Sequence, residues 1–217
     1  MIDLAGRIIG LAIILFARFI TAVRGIWDGS DPVPTQRIYF ANHASNGDFV
    51  LVWTVLPPQI RGKTRPVAGS DYWLKTKLKS FVIRHVFNAV LIDRNPATRT
   101  EDPVELMVGA LDRGASLILF PEGTRNTTDA ALLPFKPGLF HLANARPDVA
   151  LVPVWIENLN RVMPKGEIVP VPLICTVTFG AELHLKPGED KAAFLARAQD
   201  ALRAAAPETA GLAEAAE

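Results

Sequence analysis

The chain has 217 residues, which is long enough for one large domain with a hydrophobic core and a short extension. Lys and Arg number 23 and Asp and Glu 22, so the net charge of +1 argues against a nucleic-acid-binding protein and against a disordered acidic chain. The single cysteine, Cys175, excludes an internal disulfide framework and a multi-cysteine metal site.

The first 23 residues form an apolar segment whose polar side chains share one stripe of a helix. At about 100° per residue, Arg7 and Arg18 lie about 20° apart around the helix axis, with Asp3 and Thr21 about 40° from Arg7. The longest uncharged run, Ile8–Ala17, has ten residues, whereas a membrane-spanning helix needs ~20. This pattern favours a helix that lies in the bilayer interface; a buried core helix, a true span and a signal peptide are the alternatives.

Beyond a proline-containing linker, Ser30–Gln36, strand-like runs alternate with helical patterns. The apolar runs lack strict alternation, which is typical of strands that are covered on both faces. We therefore predict an α/β fold, with a mostly parallel sheet flanked by helices and an N-terminal membrane-interfacial helix. The expected division is an N-terminal hydrophobic segment, residues 1–30, and an α/β domain, residues 31–217. The expected strands are Ile38–Ala41, Val67–Ala68, Val90–Asp93, Leu117–Phe120, Leu151–Ile156 and Ile174–Phe179, and the expected helices are Asp48–Leu56, Tyr72–Phe87, Pro103–Arg113, Gly138–Ala145 and Lys191–Ala206.

A first candidate site follows the strand Ile38–Ala41, where the chain reads Asn-His-Ala-Ser-Asn-Gly-Asp. Ligand crevices in α/β sheets form at the carboxyl ends of strands. A turn between His43 and Asp48 would let the two side chains meet, and a carboxylate bonded to one imidazole nitrogen leaves the other as a base for an alcohol proton. The spacing alone is a weak signal, and a structural, hydrogen-bonding histidine is the alternative.

A second candidate site follows the strand Leu117–Phe120, where the chain reads Pro-Glu-Gly-Thr-Arg. Arg125 in this stretch and Arg94, after another strand, have the guanidinium groups that bind phosphate in a bidentate manner. Lys136 adds a cation before a helix start. A surface ion pair is the alternative for each arginine. However, three strand ends carry polar groups of this kind, namely His43 with Asp48, Arg94, and the Glu-Gly-Thr-Arg stretch, and this combination is harder to attribute to chance.

Four motifs then occur in an order that resembles the lysophosphatidic acid acyltransferase family. They are Asn42-His43-x-x-x-x-Asp48, Leu91-Ile92-Asp93-Arg94, Phe120-Pro121-Glu122-Gly123-Thr124-Arg125 and Leu151-Val152-Pro153-Val154, and the resemblance covers roughly residues 38–180. It implies transfer of a fatty acyl group from an acyl thioester, acyl-CoA or acyl-carrier protein, to the hydroxyl of a lysophosphatidic acid-type acceptor in phospholipid biosynthesis.

The resemblance also implies roles for individual residues. His43 would be the base and Asp48 its orienting partner. Arg94 and Arg125 would hold the acceptor phosphate, and Lys136 belongs to the same substrate-binding set. Glu122, Gly123 and Thr124 would shape the acceptor pocket. No metal and no cofactor besides the acyl-CoA or acyl-carrier protein co-substrate is expected.

A basic stretch suits a membrane protein of this kind. Residues 57–99 contain nine Lys and Arg against two Asp, a net charge of +7. Such a surface fits anionic lipid headgroups or an acidic carrier protein, with a solvated helix face as the alternative. We expect a peripheral or monotopic protein at the cytoplasmic face of the cell membrane, with a lipid acceptor and no nucleic-acid partner.

Other functions remain open at this stage. The acceptor could instead be glycerol 3-phosphate, a lysophospholipid or a lyso-aminolipid. A catalytically silent lipid-binding protein on the membrane is the rival outside the enzymes, although an intact set of His43, Asp48, Glu122 and Arg125 argues against it. A soluble phosphate-binding module leaves the apolar N-terminal segment unexplained. Cys175, inside an apolar run, is expected to be an inert core thiol.

Overall fold

A computed structural model of the chain describes residues 2–157 and 175–207. The elements are, in chain order, α1 (Ile2–Thr21), β1 (Arg24–Trp27), β2 (Arg37–Ala41), α2 (Asp48–Val55), α3 (Pro58–Arg61), β3 (Thr64–Gly69), α4 (Ser70–Trp73), α5 (Lys77–Phe81), a π-helical turn (Val82–Val86), β4 (Val90–Ile92), α6 (Pro103–Asp112), β5 (Ser116–Leu119), α7 (Gly138–Ala145), β6 (Ala150–Glu157), β7 (Thr176–Phe179) and α8 (Lys191–Ala204).

Seven strands form one sheet in the order β1-β7-β6-β2-β5-β3-β4. All neighbours pair in parallel except β6 and β7, which are antiparallel. The predicted α/β class with a mostly parallel sheet is therefore confirmed. Because β2, β5, β3 and β4 run in the same direction, the carboxyl ends of these four strands lie at one edge of the sheet.

Two hydrophobic layers cover the sheet, and β2 contributes to both. Tyr39 and Ala41 belong to the layer under α1, α2 and the π-helical turn, while Ile38 and Phe40 belong to the layer under α6, α7 and α8. Successive residues of a strand point to opposite faces, so a strand covered on both faces is apolar throughout. All five residues of β2 are buried, which explains why its sequence shows no alternation of polar and apolar residues.

The ends of α6 follow the local sequence signals. The Asp102 side chain accepts a hydrogen bond from the Val104 amide, and Pro103 occupies the first turn of the helix. Gly114, just beyond the helix, has φ of +79°, a left-handed conformation that glycine adopts without a steric penalty. Asp102 and Gly114 therefore mark the two ends of α6.

The expected helix Tyr72–Phe87 is wrong as a single element, because the structure divides it into α4, α5 and the π-helical turn. Thr76 has an extended backbone, with φ of −132° and ψ of 153°, and its side chain accepts a hydrogen bond from the Lys79 amide. The capping bond therefore starts a new helix where the pattern predicted a continuous one. The strand β1 and the short helix α3 were not expected, and Ile174 lies outside the described residues.

Helix α1 packs on the molecule along one face and exposes an apolar face on the other side. A Cβ at Gly6 would lie 2.7 Å from the His85 carbonyl oxygen, so only glycine allows this close approach to the π-helical turn. By length and composition α1 could cross a membrane, and 28% of its apolar window Leu4–Thr21 is buried against the protein. Its exposed large apolar residues are Leu4, Ile8, Leu11, Leu15, Phe16 and Phe19.

The chain passes directly from α1 into the sheet. The Cys175 amide donates to the Thr21 carbonyl oxygen at 2.9 Å, and the Arg24 amide donates to the Cys175 carbonyl oxygen at 3.0 Å. Strand β1 then pairs with β7 at the sheet edge. The segment of residues 1–30 thus supplies an edge strand of the sheet in addition to the helix.

Candidate active site

His43 and Asp48 are in direct contact at the carboxyl end of β2. The imidazole Nδ1 lies 2.8 Å from Asp48 Oδ2, which also accepts the backbone amides of Ala44 at 2.7 Å and Ser45 at 2.8 Å. These bonds fold residues 43–48 into the turn that precedes α2. With the Nδ1 proton directed at the carboxylate, Nε2 is the nitrogen left to accept a proton. The His43 side chain is 19% exposed and that of Asp48 1%, so the imidazole is accessible from outside the protein and the carboxylate is not.

Phe120 holds the imidazole ring from one face. The two rings stack with centroids 4.3 Å apart and planes 21° from parallel. With Asp48 on one edge and Phe120 on one face, the ring has little rotational freedom. Phe120 is part of the quoted motif, but its stacking on His43 was not predicted. The signal for it was its position directly after β5, the strand next to β2.

Glu122 joins two loops through its carboxylate. Oε1 accepts the His43 backbone amide and Oε2 accepts the Leu133 amide, both at 2.8 Å. The side chain is buried, and burial raises its pKa, against the lowering effect of those two hydrogen bonds. The Asn126 amide donates to the His43 carbonyl oxygen at 2.6 Å. The loop after β5 therefore fixes the backbone of His43 on both sides, and Glu122 shapes the site from within the protein.

Gly123 makes the turn on which the exposed cations of this loop lie. Its φ is +69°, and a Cβ there would lie 3.1 Å from Cγ of Lys136, whose aliphatic stem crosses the turn. The Lys136 amide also donates to the Pro121 carbonyl oxygen at 2.7 Å. Thr124 and Arg125 follow on the surface. Within residues 2–157 and 175–207, the side chains of Arg125 and Lys136 make no ion pair.

Arg94 lies at the same edge and forms an ion pair with a carboxylate that was not predicted. Its Nε and Nη2 donate to Asp71 Oδ1 and Oδ2 at 3.1 and 2.7 Å, and the Arg94 guanidinium lowers the pKa of Asp71. The pair crosses Gly69, where a Cβ would lie 2.6 Å from Arg94 Nε. Three further guanidinium N–H groups stay available for a phosphate. No local sequence pattern indicates Asp71, because the ion pair joins residues 23 positions apart.

Asn42 extends the sheet at the start of the loop that carries His43. Its side-chain amide donates to the Ile156 carbonyl oxygen at 2.9 Å, and its side-chain oxygen accepts the Ile156 amide at 2.7 Å. A carboxamide has the donor and acceptor of a peptide group, so it continues the pairing of β2 with β6 beyond Ala41. This role could have been suspected from the asparagine after a central strand, although the partner strand could not.

The candidate residues thus lie along one edge of the sheet. Those after β2 come first, those after β5 are next to them, and Arg94, after β4, is the most distant. Neighbouring strands lie about 4.8 Å apart, so the ends of β2 and β4 are separated by about 14 Å, and Arg94 reaches back over β3. Cys175 does not take part: it is buried, and burial together with the charges of Asp48 and Glu157 raises its pKa to about 11. Among the described residues, no group of three or more His, Cys, Asp or Glu side chains could share a metal ion.

Comparisons with known proteins match the part of the chain that contains the candidate site. Residues 27–157 match the family model described as Acyltransferase. The 1-acyl-sn-glycerol-3-phosphate acyltransferase of Cocos nucifera is 33% identical over 146 residues, which cover 63% of this chain and 45% of the relative. The enzyme of the same name from Escherichia coli (strain K12) is 36% identical over 137 residues, 57% of this chain and 50% of the relative. The chain therefore spans about half the length of the curated relatives it matches.

The fold also matches a solved structure. The crystal structure of the 1-acyl-sn-glycerophosphate (LPA) acyltransferase from Thermotoga maritima aligns with a TM-score of 0.69 and 21% sequence identity, over 93% of this chain and 80% of that one. At this identity the similarity establishes the common architecture, a mostly parallel sheet flanked by helices.

Proposed function

This chain belongs to the acyltransferase family, and we propose that it transfers a fatty acyl group from an acyl thioester to the hydroxyl of a 1-acyl-sn-glycerol-3-phosphate acceptor. The observation that carries the proposal is the His43–Asp48 contact at 2.8 Å, beside a turn that exposes two cations. The curated relatives named for this reaction support the choice of acceptor.

In the proposed reaction, Nε2 of His43 takes the proton of the acceptor hydroxyl while the hydroxyl oxygen attacks the thioester carbonyl carbon. The new C–O bond replaces the C–S bond, and the thiolate that leaves takes the proton from the imidazolium. Asp48 stabilises the imidazolium and keeps the ring in the productive tautomer. Holding both substrates against the base supplies much of the acceleration. No covalent acyl-enzyme is needed, and the buried Cys175 thiol is unsuited to form one.

The acceptor phosphate is proposed to lie against Arg125 and Lys136, with Arg94 as a third cation. Arg125 comes one residue before Asn126, whose amide donates to the His43 carbonyl oxygen, so the backbone of Arg125 lies close to that of His43. A guanidinium can donate two parallel hydrogen bonds to a phosphate, which would hold the glycerol backbone in one orientation.

The membrane is the proposed location, because the acceptor is a lipid and α1 exposes an apolar face. We propose a peripheral or monotopic protein at the cytoplasmic face, with acyl-CoA or acyl-carrier protein as the donor and no further cofactor. Another acceptor, namely glycerol 3-phosphate, a lysophospholipid or a lyso-aminolipid, is the second candidate.

The proposal is tested with purified full-length protein, acyl-CoA and a panel of these acceptors in detergent micelles. We expect lysophosphatidic acid to give phosphatidic acid by mass spectrometry, with one free thiol released per product. His43→Ala should abolish turnover while keeping the thermal unfolding midpoint. If another acceptor is acylated with a higher kcat/KM, that acceptor replaces the proposed one. If no acceptor gives a product, the result favours a catalytically silent lipid-binding protein.

A further inference from the structure

An open cleft lies between the loop after α4, helix α5 and the π-helical turn, and none of the candidate active-site residues lines it. Its volume is about 420 Å³. Its lining combines two apolar side chains with basic ones and contains no carboxylate; the residues that matter are Leu74, Lys75, Lys77, Phe81, Arg84 and His85. A cleft with this lining is suited to an anion that is attached to an apolar body.

The cations of the cleft are available to such an anion. Lys75, Lys77 and Arg84 are exposed, and they form no ion pair within residues 2–157 and 175–207. By contrast, the partly buried Arg146 is bound to two aspartates, and the exposed Arg203 is bound to one, elsewhere on the surface. The cleft therefore concentrates positive charge that the described part of the protein does not neutralise.

The surroundings of the cleft are apolar and continuous with α1. Leu78, between Lys77 and Lys79, is 72% exposed, more than any other large apolar residue outside α1 in the described part of the chain. His85 lines the cleft, and its carbonyl oxygen is the group against which Gly6 of α1 packs. The basic cleft and the N-terminal half of α1 thus lie next to each other on the same side of the sheet.

We infer that this cleft binds the phosphate headgroup of an anionic phospholipid in the bilayer surface, while Leu78 and the apolar face of α1 enter the interface. The inference rests on the proposed membrane location. A bilayer explains both the cationic lining and the exposed leucine, whereas a soluble acidic carrier protein leaves the exposed face of α1 without a partner. The cleft would be a docking site separate from the acceptor site.

Such docking would also orient the candidate active site. Leu74, which lines the cleft, directly follows α4. Helix α4 carries Asp71, the partner of Arg94, and Trp73, which packs edge-on against Phe49 with ring centroids 5.6 Å apart. Phe49 directly follows Asp48. A headgroup bound in the cleft would therefore place the sheet edge with the base close to the lipid surface.

The test is vesicle binding by the full chain, which needs no turnover and so separates this inference from the proposed reaction. Flotation is measured with phosphatidylcholine vesicles and with phosphatidylcholine–phosphatidylglycerol vesicles, at low and high salt. The variant is Lys75→Gln, Lys77→Gln, Arg84→Gln. The matched control is Arg113→Gln, Lys186→Gln, Lys191→Gln, which changes three exposed basic residues. Arg113 directly follows α6 and Lys191 begins α8, and both helices cover the opposite face of the sheet.

We expect wild type and control to bind anionic vesicles more tightly than neutral ones, with a difference that high salt abolishes. The cleft variant should lose this difference, about a hundredfold (about 3 kcal/mol for three basic residues), and keep its binding to neutral vesicles. Leu78→Ser should weaken binding to both kinds of vesicle at an unchanged thermal midpoint.

Two results would overturn the inference. One is a cleft variant that retains the full preference for anionic vesicles. The other is a cleft variant with unchanged vesicle binding but a raised KM for acyl-CoA or acyl-carrier protein in detergent, which would reassign the cleft to the donor.

Discussion

The carboxylate of Asp48 is used asymmetrically. Oδ2 accepts hydrogen bonds from the His43 ring and from two backbone amides, while Oδ1 is buried and has no hydrogen-bond partner among the described residues. Each donor to Oδ2 fixes both the carboxylate and the turn, so the imidazole meets a rigid partner. The geometry favours a histidine whose tautomer is set before substrate arrives.

Asp48→Asn tests this arrangement. The amide removes the charge that stabilises the imidazolium, and its NH₂ group favours the wrong ring tautomer, so we expect kcat to fall about 10³- to 10⁴-fold. The acceptor KM should change little, because Asp48 is buried and does not reach the substrate. A variant that keeps a kcat within tenfold of wild type would contradict the role of Asp48.

Arg125→Ala tests the phosphate site. Loss of charge-assisted hydrogen bonds, worth about 1.5–3 kcal/mol, should raise the KM for the phosphorylated acceptor about 10- to 100-fold. The KM for acyl-CoA should stay the same, since the guanidinium is proposed to contact only the acceptor. Arg113→Ala, an exposed arginine on the α6 side of the sheet, is the control; equal increases in both KM values for Arg125→Ala would refute the assignment.

At the scale of elements, α8 is held to the preceding loop by an ion pair with a pH signature. Glu189 accepts two hydrogen bonds from the Arg197 guanidinium, at 2.8 and 2.6 Å, and this contact lowers the pKa of Glu189 from 4.5 to about 2. A carboxylate with a lowered pKa stabilises the folded state above its ordinary pKa, and that contribution disappears as the pH falls towards 2.

Glu189→Gln should therefore lower the free energy of unfolding at pH 6 and remove part of its decline between pH 4.5 and 2. Urea unfolding followed by circular dichroism at several pH values measures both. Asp200→Asn removes the exposed pair with Arg203 and should have little effect. An unchanged pH dependence in Glu189→Gln would show that other carboxylates carry the decline.

Elements could be predicted where local signals agree with the tertiary structure. Helix α7 has the expected bounds, Gly138–Ala145, and the core strand β2 differs by one residue. Strand β1 was missed because Arg-Gly-Ile-Trp has no strand pattern of its own; its conformation depends on pairing with β7, about 150 residues away. In the site, the His43–Asp48 contact was predictable from a short spacing, whereas the Asp71–Arg94 pair depends on how two strand ends meet.

For the whole molecule, the distribution of exposed apolar residues defines the side that would face a bilayer. Phe16 and Phe19 of α1 are 66% and 84% exposed and do not belong to the buried core. Phe16→Ser with Phe19→Ser should weaken binding to neutral vesicles at least about a hundredfold, because each buried phenylalanine contributes about 1.5–3 kcal/mol. The thermal midpoint should not move.

Val33→Ser, an apolar residue that is 39% exposed in the segment before β2, is the control for this measurement. If the double variant floats with vesicles as well as wild type does, the membrane contact lies elsewhere on the molecule.

The hydrogen bonds that join the end of α1 to Cys175, and Cys175 to β1, have a mechanical consequence. These bonds fix the end of α1 directly to the sheet, without a flexible linker between them. Helix α1 therefore moves with the sheet as one rigid unit. On a bilayer the imidazole of His43 would then stand at a fixed height and tilt above the lipid plane, and every acceptor would have to present its hydroxyl at that single depth.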